Sequence, residues 1–564
     1  MKKTLSYALL VAGGMLVLTG CNKKMNQFQA DYFTTNPNPL EVVGTTVPAI
    51  VTANVPAKFF KKNAEVTVTP VLVYGGQSTA SAPSQFQGEK VRGNAPVVSY
   101  NNGGVVTIPV SFVYQPEMQR SELFLDFNVT QGKKQYVLPR VKVANGVIAT
   151  AALADAGSVN PAIAPDKFQR IINEKYTADI RFLINMANIR PGQLTTPEMT
   201  SFNSDLIAAN ADTSRVIEGL NISSYASPDG PYDFNTRLAE HREKNTKEYL
   251  EGKLKKDNIT EFGELTAQFT PEDWEGFQKL VQASNIQDKE LILSILNMYK
   301  DPEQRMAEIQ NLSNVFETLA TDILPELRYS RLTASVNVIG KSDAEIANFF
   351  DNDPAALSVV EMLYGATITD DNARQAAIYQ KASQLYPNDF RTFNNLGMAQ
   401  YVAGDYASAQ ANFAKAAQLN PQSPEAQMNL GLIAMKNGDY AAANRAFGNA
   451  AGLEELKDAL GVYYMKQGDY AAAAKAFADS KTNNAAVAQL VIKDYSAARN
   501  TLASITLPDA TTYYLMAILG ARTNNPQLVT SNLRQAIKLN PSLVKSIAND
   551  LEFSKFNLDG VLNQ

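Results

Sequence analysis

Leu396-Gly397, Gly404-Asp405-Tyr406 and Phe413 return as Leu430-Gly431, Gly438-Asp439-Tyr440 and Phe447, and again as Leu460-Gly461, Gly468-Asp469-Tyr470 and Phe477. Gly397 to Gly431 is 34 residues, and Gly431 to Gly461 is 30. A unit of this length that recurs in an alanine-rich stretch predicts a helical hairpin, which cannot bury its apolar face alone and therefore stacks on copies of itself. Gly404 closes a helix in a conformation where a Cβ would clash, Tyr406 is expected to pack into the next helix, and Ala409 and Ala416 let neighbouring helices approach. Asn420-Pro421 and Asn540-Pro541 end second helices, Tyr386-Pro387 closes a partial repeat, and Lys493-Asp494-Tyr495 keeps a worn turn. Five or six repeats are expected over 355–556.

The period and landmarks resemble the tetratricopeptide repeat, an all-α solenoid. Such arrays present a concave surface, lined mainly by first helices, to partners. Asn395 and Asn429 each precede a Leu-Gly, 34 residues apart, so they stack in that groove, where amides can bond the backbone of an extended peptide. A protein partner in the groove is the expectation; the alternative is that these asparagines only solvate a surface. Ala459 takes their place in the third repeat.

At the other end, Lys2 and Lys3 precede an apolar run from Leu5 to Leu18, closed by Thr19-Gly20-Cys21. That is the layout of a secretory signal over 1–20, shorter than the ~20 apolar residues of a spanning helix. Leu18-Thr19-Gly20-Cys21 resembles the bacterial lipobox, which implies acylation of Cys21 and attachment to a membrane; two or more acyl chains hold a protein there stably. Asn22 is compatible with the sorting of such lipoproteins to the outer membrane, facing the periplasm. Cys21 is the only cysteine in 564 residues, so disulfides are excluded and no thiolate is spare for a zinc site or a nucleophile. The polar stretch that ends in Asn36-Pro37-Asn38-Pro39 predicts a tether over 21–39.

Between 40 and 150, short β-branched and aromatic runs alternate with Gly75-Gly76, Asn101-Asn102-Gly103-Gly104 and Gln131-Gly132-Lys133. Strands at that spacing predict an all-β sandwich of immunoglobulin-like type, either a spacer or a docking module. Pro70 and Pro109 within runs imply edge strands or bulges.

From 158 to 342 the pattern is α+β: a strand over 178–189, a helix opened by Thr196-Pro197-Glu198 and ending near Asn210, a strand over 216–225 and a helix over 232–256. Leu183 to Pro191, and Ile222-Ser223-Ser224-Tyr225-Ala226-Ser227-Pro228-Asp229-Gly230 followed by Asn235, Leu238, Arg242 and Tyr249-Leu250, resemble the OmpA-like, peptidoglycan-associated family. Asn235 and Arg242, seven apart, return to one helix face within ~20°. The resemblance implies that Arg242 grips a carboxylate of the peptidoglycan stem, a task suited to a guanidinium fork. The family commonly has an aspartate where this chain has Ser227; Asp229 either reaches the ligand's ammonium in its stead or is a turn residue in Ser-Pro-Asp-Gly. For Arg242 the alternative is a solvated helix charge beside Glu240, Glu243 and Glu248. A helical insertion is expected over 271–331, where the family's last strands normally follow directly. Its Trp274, the only tryptophan, is read as core rather than a glycan platform.

With 51 Lys+Arg against 56 Asp+Glu there is no electrostatic footprint for nucleic acid. His241 is the only histidine, and no phosphate loop, metal spacing or nucleophile elbow is present, so neither enzyme, cofactor nor metal is expected. The sequence predicts an outer-membrane lipoprotein that links the membrane to peptidoglycan and scaffolds an envelope or secretion assembly through its repeats. The alternative is a purely structural or surface-displayed scaffold whose OmpA-like domain does not bind peptidoglycan.

Overall fold

A computed structural model describes residues 24–286 and 288–562. The signal over 1–20, Cys21 and Asn22 lie outside the described residues. The chain forms two compact units, one of residues up to Pro165 together with those from Gln375 onward, the other of Asp166–Arg374.

In the first unit, alternation of apolar and polar residues produces seven principal strands. They are β1 (Phe33–Asn36), β2 (Thr46–Val55), β3 (Ala64–Tyr74), β4 (Ser84–Gly88), β5 (Gly104–Val113), β6 (Ser121–Gln131) and β7 (Lys134–Asn145). One sheet has the order β1-β2-β5, and the other β7-β6-β3-β4, with Val97–Val98 beyond β4. Their inward residues, such as Val51 and Ile108 from one sheet and Val66 and Leu125 from the other, share one core. Pro109 lies on the edge strand β5. Pro70 sits in β3 between Val68, the last residue paired with β4, and Val71, the first paired with Gln77–Ala80, so its missing N–H falls where the neighbour changes.

The expected tether is corrected. Met25 and Phe28 are only 3% and 8% exposed, the Phe28 ring stacks on Phe127 at 4.4 Å, and β1 pairs with β2. Two apolar side chains in a polar stretch leave no period to detect, yet burying each contributes roughly 1.5–3 kcal/mol, enough to fix the segment.

The second unit is built on β8 (Ile171–Arg181), α1 (Pro197–Ala211), β9 (Arg215–Tyr225), α2 (Tyr232–Lys256), β10 (Glu264–Thr270) and β11 (Tyr329–Ile339), with sheet order β8-β11-β9-β10. Only β9 and β10 are parallel. Thr196 caps α1 by accepting from Met199 N–H, with Pro197 in the first turn. The strand expected over 178–189 ends at Arg181; Asn185 has φ 55° and the chain turns away. Four helices, α3 (Trp274–Ala283), α4 (Lys289–Met298), α5 (Pro302–Gln310) and α6 (Ser313–Asp322), fill the insertion around their own core of Phe277, Ile292 and Leu319. Trp274 is half-buried at that core's edge, its Nε1 donating to Glu272 at 3.0 Å and Arg305 lying 4.7 Å from its ring. Helices α7 (Asp343–Asn352) and α8 (Val359–Thr367) complete the unit, so 355–367, expected in the repeats, belongs here.

The repeats begin with α9 (Asn372–Leu385) and continue as five hairpins among the described residues: α10 (Phe390–Val402) with α11 (Tyr406–Leu419), α12 (Pro424–Lys436) with α13 (Tyr440–Gly448), α14 (Leu456–Gln467) with α15 (Tyr470–Phe477), α16 (Asn483–Val491) with α17 (Tyr495–Ala503), and α18 (Ala510–Arg522) with α19 (Pro526–Leu539). Gly404, Gly438 and Gly468 have φ of 82°, 75° and 79°. Lys493 holds the same left-handed position at φ 65° with a side chain to accommodate. The aspartate after each cap receives a backbone N–H from the next helix, as Asp405 does from Ser408 and Asp494 from Ala497. A Cβ on Gly397, Gly431 or Gly461 would stand 2.8, 2.4 or 2.5 Å from the ring of Phe413, Phe447 or Phe477, which explains why those residue types recur together.

Tyr406 meets the ring of Tyr401 edge-on at 5.1 Å and lies under Lys436. Its third-repeat counterpart Tyr470 turns instead to the β sheets, donating to Val42 O at 3.0 Å and accepting from Gly44 N. Arg522 bonds Glu552 and Thr150 on the same seam. The β domain and the repeats, expected as separate modules, are thus one body.

Lys493→Gly is expected to stabilise the chain by about 0.5–1 kcal/mol, read from urea unfolding, because glycine removes the left-handed strain and offsets part of that gain by its unfolded-state freedom. Burial pushes the Asp550 carboxyl from 3.8 up to about 6; the hydrogen bond from the Tyr514 hydroxyl opposes this, and the charge of Glu552 adds to it. The folded state then keeps its proton while the unfolded chain loses it, so stability is full below about pH 4 and falls as pH rises toward 6, by about 3 kcal/mol in all. Asp550→Asn should remove this part of the pH dependence; an unchanged slope between pH 4 and 7 would refute the assignment.

Candidate functional site

The groove of the repeats is built from first helices, and its occupant is the chain itself. After the β domain, residues 154–164 run through it in a mostly extended path. Asn395 Nδ2 donates to Ala164 O at 2.9 Å while its Oδ1 accepts from Ala164 N at 2.8 Å. Asn429 does the same to Ala162 at 2.8 and 2.7 Å, and Asn484 to Asp155 at 3.0 and 2.9 Å. Each amide satisfies both backbone groups of one residue, as a neighbouring strand would. Asn394 adds a bond to Ala162 O, and the Tyr401 hydroxyl donates to Ala156 O at 2.6 Å.

All three clamping asparagines are buried, at 1%, 0% and 3% exposure, and Ala154, Ala162 and Ala164 are equally enclosed. Small side chains are required of the strap, because the amides must reach its backbone. Lys436 pairs with Asp155 at 3.3 Å, and burial pulls Lys466 below the usual lysine range, opposed by Asp155. The reading of Asn395 and Asn429 as solvated surface residues is therefore corrected, and so is the expectation that a separate protein fills this groove. Residues 158–164, expected in the central domain, belong to the strap. Asn484 and Asn394 were missed: the fourth hairpin lacks a Leu-Gly to set its register, and Asn394 stands one residue before the repeating position.

The second candidate site is in the central domain. Arg242 is 0% exposed, with Nε, Nη1 and Nη2 donating to Met186 O at 3.0 Å, Tyr225 O at 2.8 Å and Leu183 O at 3.3 Å. It is neither a solvated helix charge nor an open fork; it ties the turn after β8 to the end of β9. Asn235 Nδ2 donates to Ser227 O and Gly230 O, shaping the Ser-Pro-Asp-Gly loop from within. Asp229 is reached by Arg328, whose Nη2 lies 3.3 Å from Oδ2 and whose Nε donates to Ser227 Oγ at 3.1 Å. Arg328, 8% exposed just before β11, was not singled out in the sequence, since nothing local shows that the insertion returns it to this loop.

Burial lowers the Arg242 guanidinium to about 10; neighbouring Arg328 pushes it the same way and Asp229 opposes. Arg328 thus holds the Asp229 carboxylate, while the neighbouring Arg242 guanidinium is satisfied by backbone carbonyls alone. His241 is exposed on α2. Among the described residues no cluster of histidine, cysteine, aspartate and glutamate has the makings of a metal site, and no helix is long and apolar enough to cross a membrane.

The tetratricopeptide-repeat family model matches residues 394–452, which are the first two hairpins. The C-terminal array is therefore of the class that forms protein-interaction scaffolds. No curated protein matches the chain. Among solved structures, it is similar to a tetratricopeptide repeat protein from Parabacteroides merdae (13% identity, 36% of this chain and 89% of that one, TM-score 0.29) and to Pseudomonas aeruginosa pilF (15%, 38% and 98%, TM-score 0.28). It is also similar to yeast Tom70 (13%, 65% and 87%, TM-score 0.27). These likenesses say nothing of what this chain binds.

Asn429→Ala leaves the Ala162 N–H without its buried acceptor and should destabilise the strap by about 2–3 kcal/mol. Hydrogen exchange at the Ala162 and Ala164 amides is expected to quicken about thirtyfold or more; unchanged protection would show that the clamp is not what holds the segment.

Proposed function

We propose that this chain is a lipid-anchored envelope scaffold in which one rigid body joins the membrane to a peptidoglycan-contacting domain. Acylation at Cys21 would attach it to a membrane, as the lipobox resemblance implies, and Asn22 is compatible with sorting to the outer membrane, facing the periplasm. The central domain would meet the carboxylate of a peptidoglycan stem at the Ser227–Gly230 loop. The observation that carries this part is the ion pair of the nearly buried Arg328 with Asp229 at 3.3 Å in that loop, beside the buried guanidinium of Arg242. A ligand carboxylate there would complete the balance, and Arg328 is the group with its fork nearest the loop. Arg242 then acts as a positioning residue, and its own donors need not touch the ligand.

A second reading is that the central domain is purely structural, and the three backbone carbonyls already on Arg242 favour it. A pull-down on purified sacculi separates the two. Wild type is expected to bind and Arg328→Ala to lose at least about tenfold, in keeping with a charge-assisted bond. Wild type that does not bind leaves only the structural reading.

For the repeats, the strap fills the groove over the first four hairpins, so a protein partner of an envelope or secretion assembly would dock on the remaining surface. Co-purification from cross-linked envelopes tests for that partner, and protease accessibility on whole cells tests the leaflet.

A further inference from the structure

The β domain carries its basic residues unevenly. The link between β2 and β3 presents Lys58, Lys61 and Lys62, and the hairpin between β6 and β7 presents Lys133 and Lys134. The strand pairing puts both at one end of the domain, since Ala64 at the start of β3 pairs with Gln131 at the end of β6. The segment after β4 joins them there: Lys90 N donates to Lys62 O, and Arg92 follows. These loops are rigid. Phe59 and Phe60 are buried, at 5% and 2% exposure, and Lys61 and Lys62 lie 5.8 and 5.5 Å from the ring of Tyr100. Among the described residues, Asp31, Glu65 and Glu89 bring negative charge to this end, and Glu89 is paired with Lys62. Arg140 and Lys142, farther along β7, are by contrast each matched to a carboxylate, Asp126 and Glu122.

The first described residues emerge at the same end. Met25 N donates to the Tyr136 hydroxyl, which bonds Gln131, and Lys24 lies 5.5 Å from the Tyr136 ring. Only two residues separate Lys24 from Cys21, a reach of about 10 Å. An acyl chain on Cys21 would bring these loops to the headgroups within about one Debye length. We propose that this loop end is a membrane-contacting face that takes an anionic phospholipid surface, orienting the domain with its strands rising from the bilayer. The orientation rests on the reading of Cys21 as the anchor; the affinity of the face does not.

The unacylated chain beginning at Asn22 is therefore tested by co-sedimentation with vesicles of phosphatidylcholine alone and with about one-third phosphatidylglycerol. Binding is expected only to the anionic vesicles and should weaken as salt is raised. The double variant Lys133→Gln, Lys134→Gln should lose about thirtyfold, at about fivefold per lysine. The double variant Arg140→Gln, Lys142→Gln removes the same charge away from the face and should bind like wild type. No binding to anionic vesicles, or equal loss in both variants, overturns the proposal. Palmitate labelling of Cys21 in cells tests the anchor separately, so an unlabelled protein that still selects anionic vesicles would refute the anchoring alone.

Discussion

The architecture depends on one repeated interaction: a buried asparagine amide that takes both the N–H and the C=O of a single residue in a mostly extended segment. Asn395, Asn429 and Asn484 each do this to the segment that leaves the β domain. Because each amide is enclosed, its partner backbone groups cannot be traded for water without loss, and breaking any one pair leaves polar atoms stranded. The clamp turns a surface that such arrays ordinarily offer to other molecules into an internal joint. Together with Tyr470 at Val42 and Arg522 at Glu552, it makes the β domain and the solenoid one unit despite the domain inserted between them.

Rigidity has a price in availability. An external peptide seeking the same groove would have to match the backbone bonding of residues 154–164 and also compete with a ligand that is tethered and always present. The alanine-rich strap, whose small side chains allow the amides to reach its main chain, is a good occupant for that reason. The strap leaves the outer surface of the repeats uncovered.

Much of this was legible in the residues. The period of Leu-Gly, Gly-Asp-Tyr and Phe located the hairpins because every landmark answers a local steric demand, as when Gly397 makes room for Phe413. Helix α2 was found at its observed limits, 232–256, from periodicity alone. The amide chemistry of Asn395 and Asn429 was also readable, whereas its occupant was not, since a strap 231 residues away carries no signal of its destination. Arg242 shows the same limit. Seven-residue spacing placed it on the face of Asn235, but its burial depends on the turn at 183–186, which folds back to offer carbonyls. Met25 and Phe28 were hidden by the polarity of their neighbours, and Arg328 by the insertion that precedes it.

The strap also imposes an order of assembly. Its residues precede by more than two hundred positions the asparagines that hold them, and closing a loop of that length carries an entropic penalty of several kcal/mol, about (3/2)RT ln n plus a constant. The β sheets can condense early around Phe28 and Phe127, but 154–164 must wait, unprotected, until the second half of the chain arrives. Until the joint closes, the strap is an open stretch of main chain, and cleavage there by a protease reports the fraction of molecules in which it has not yet closed.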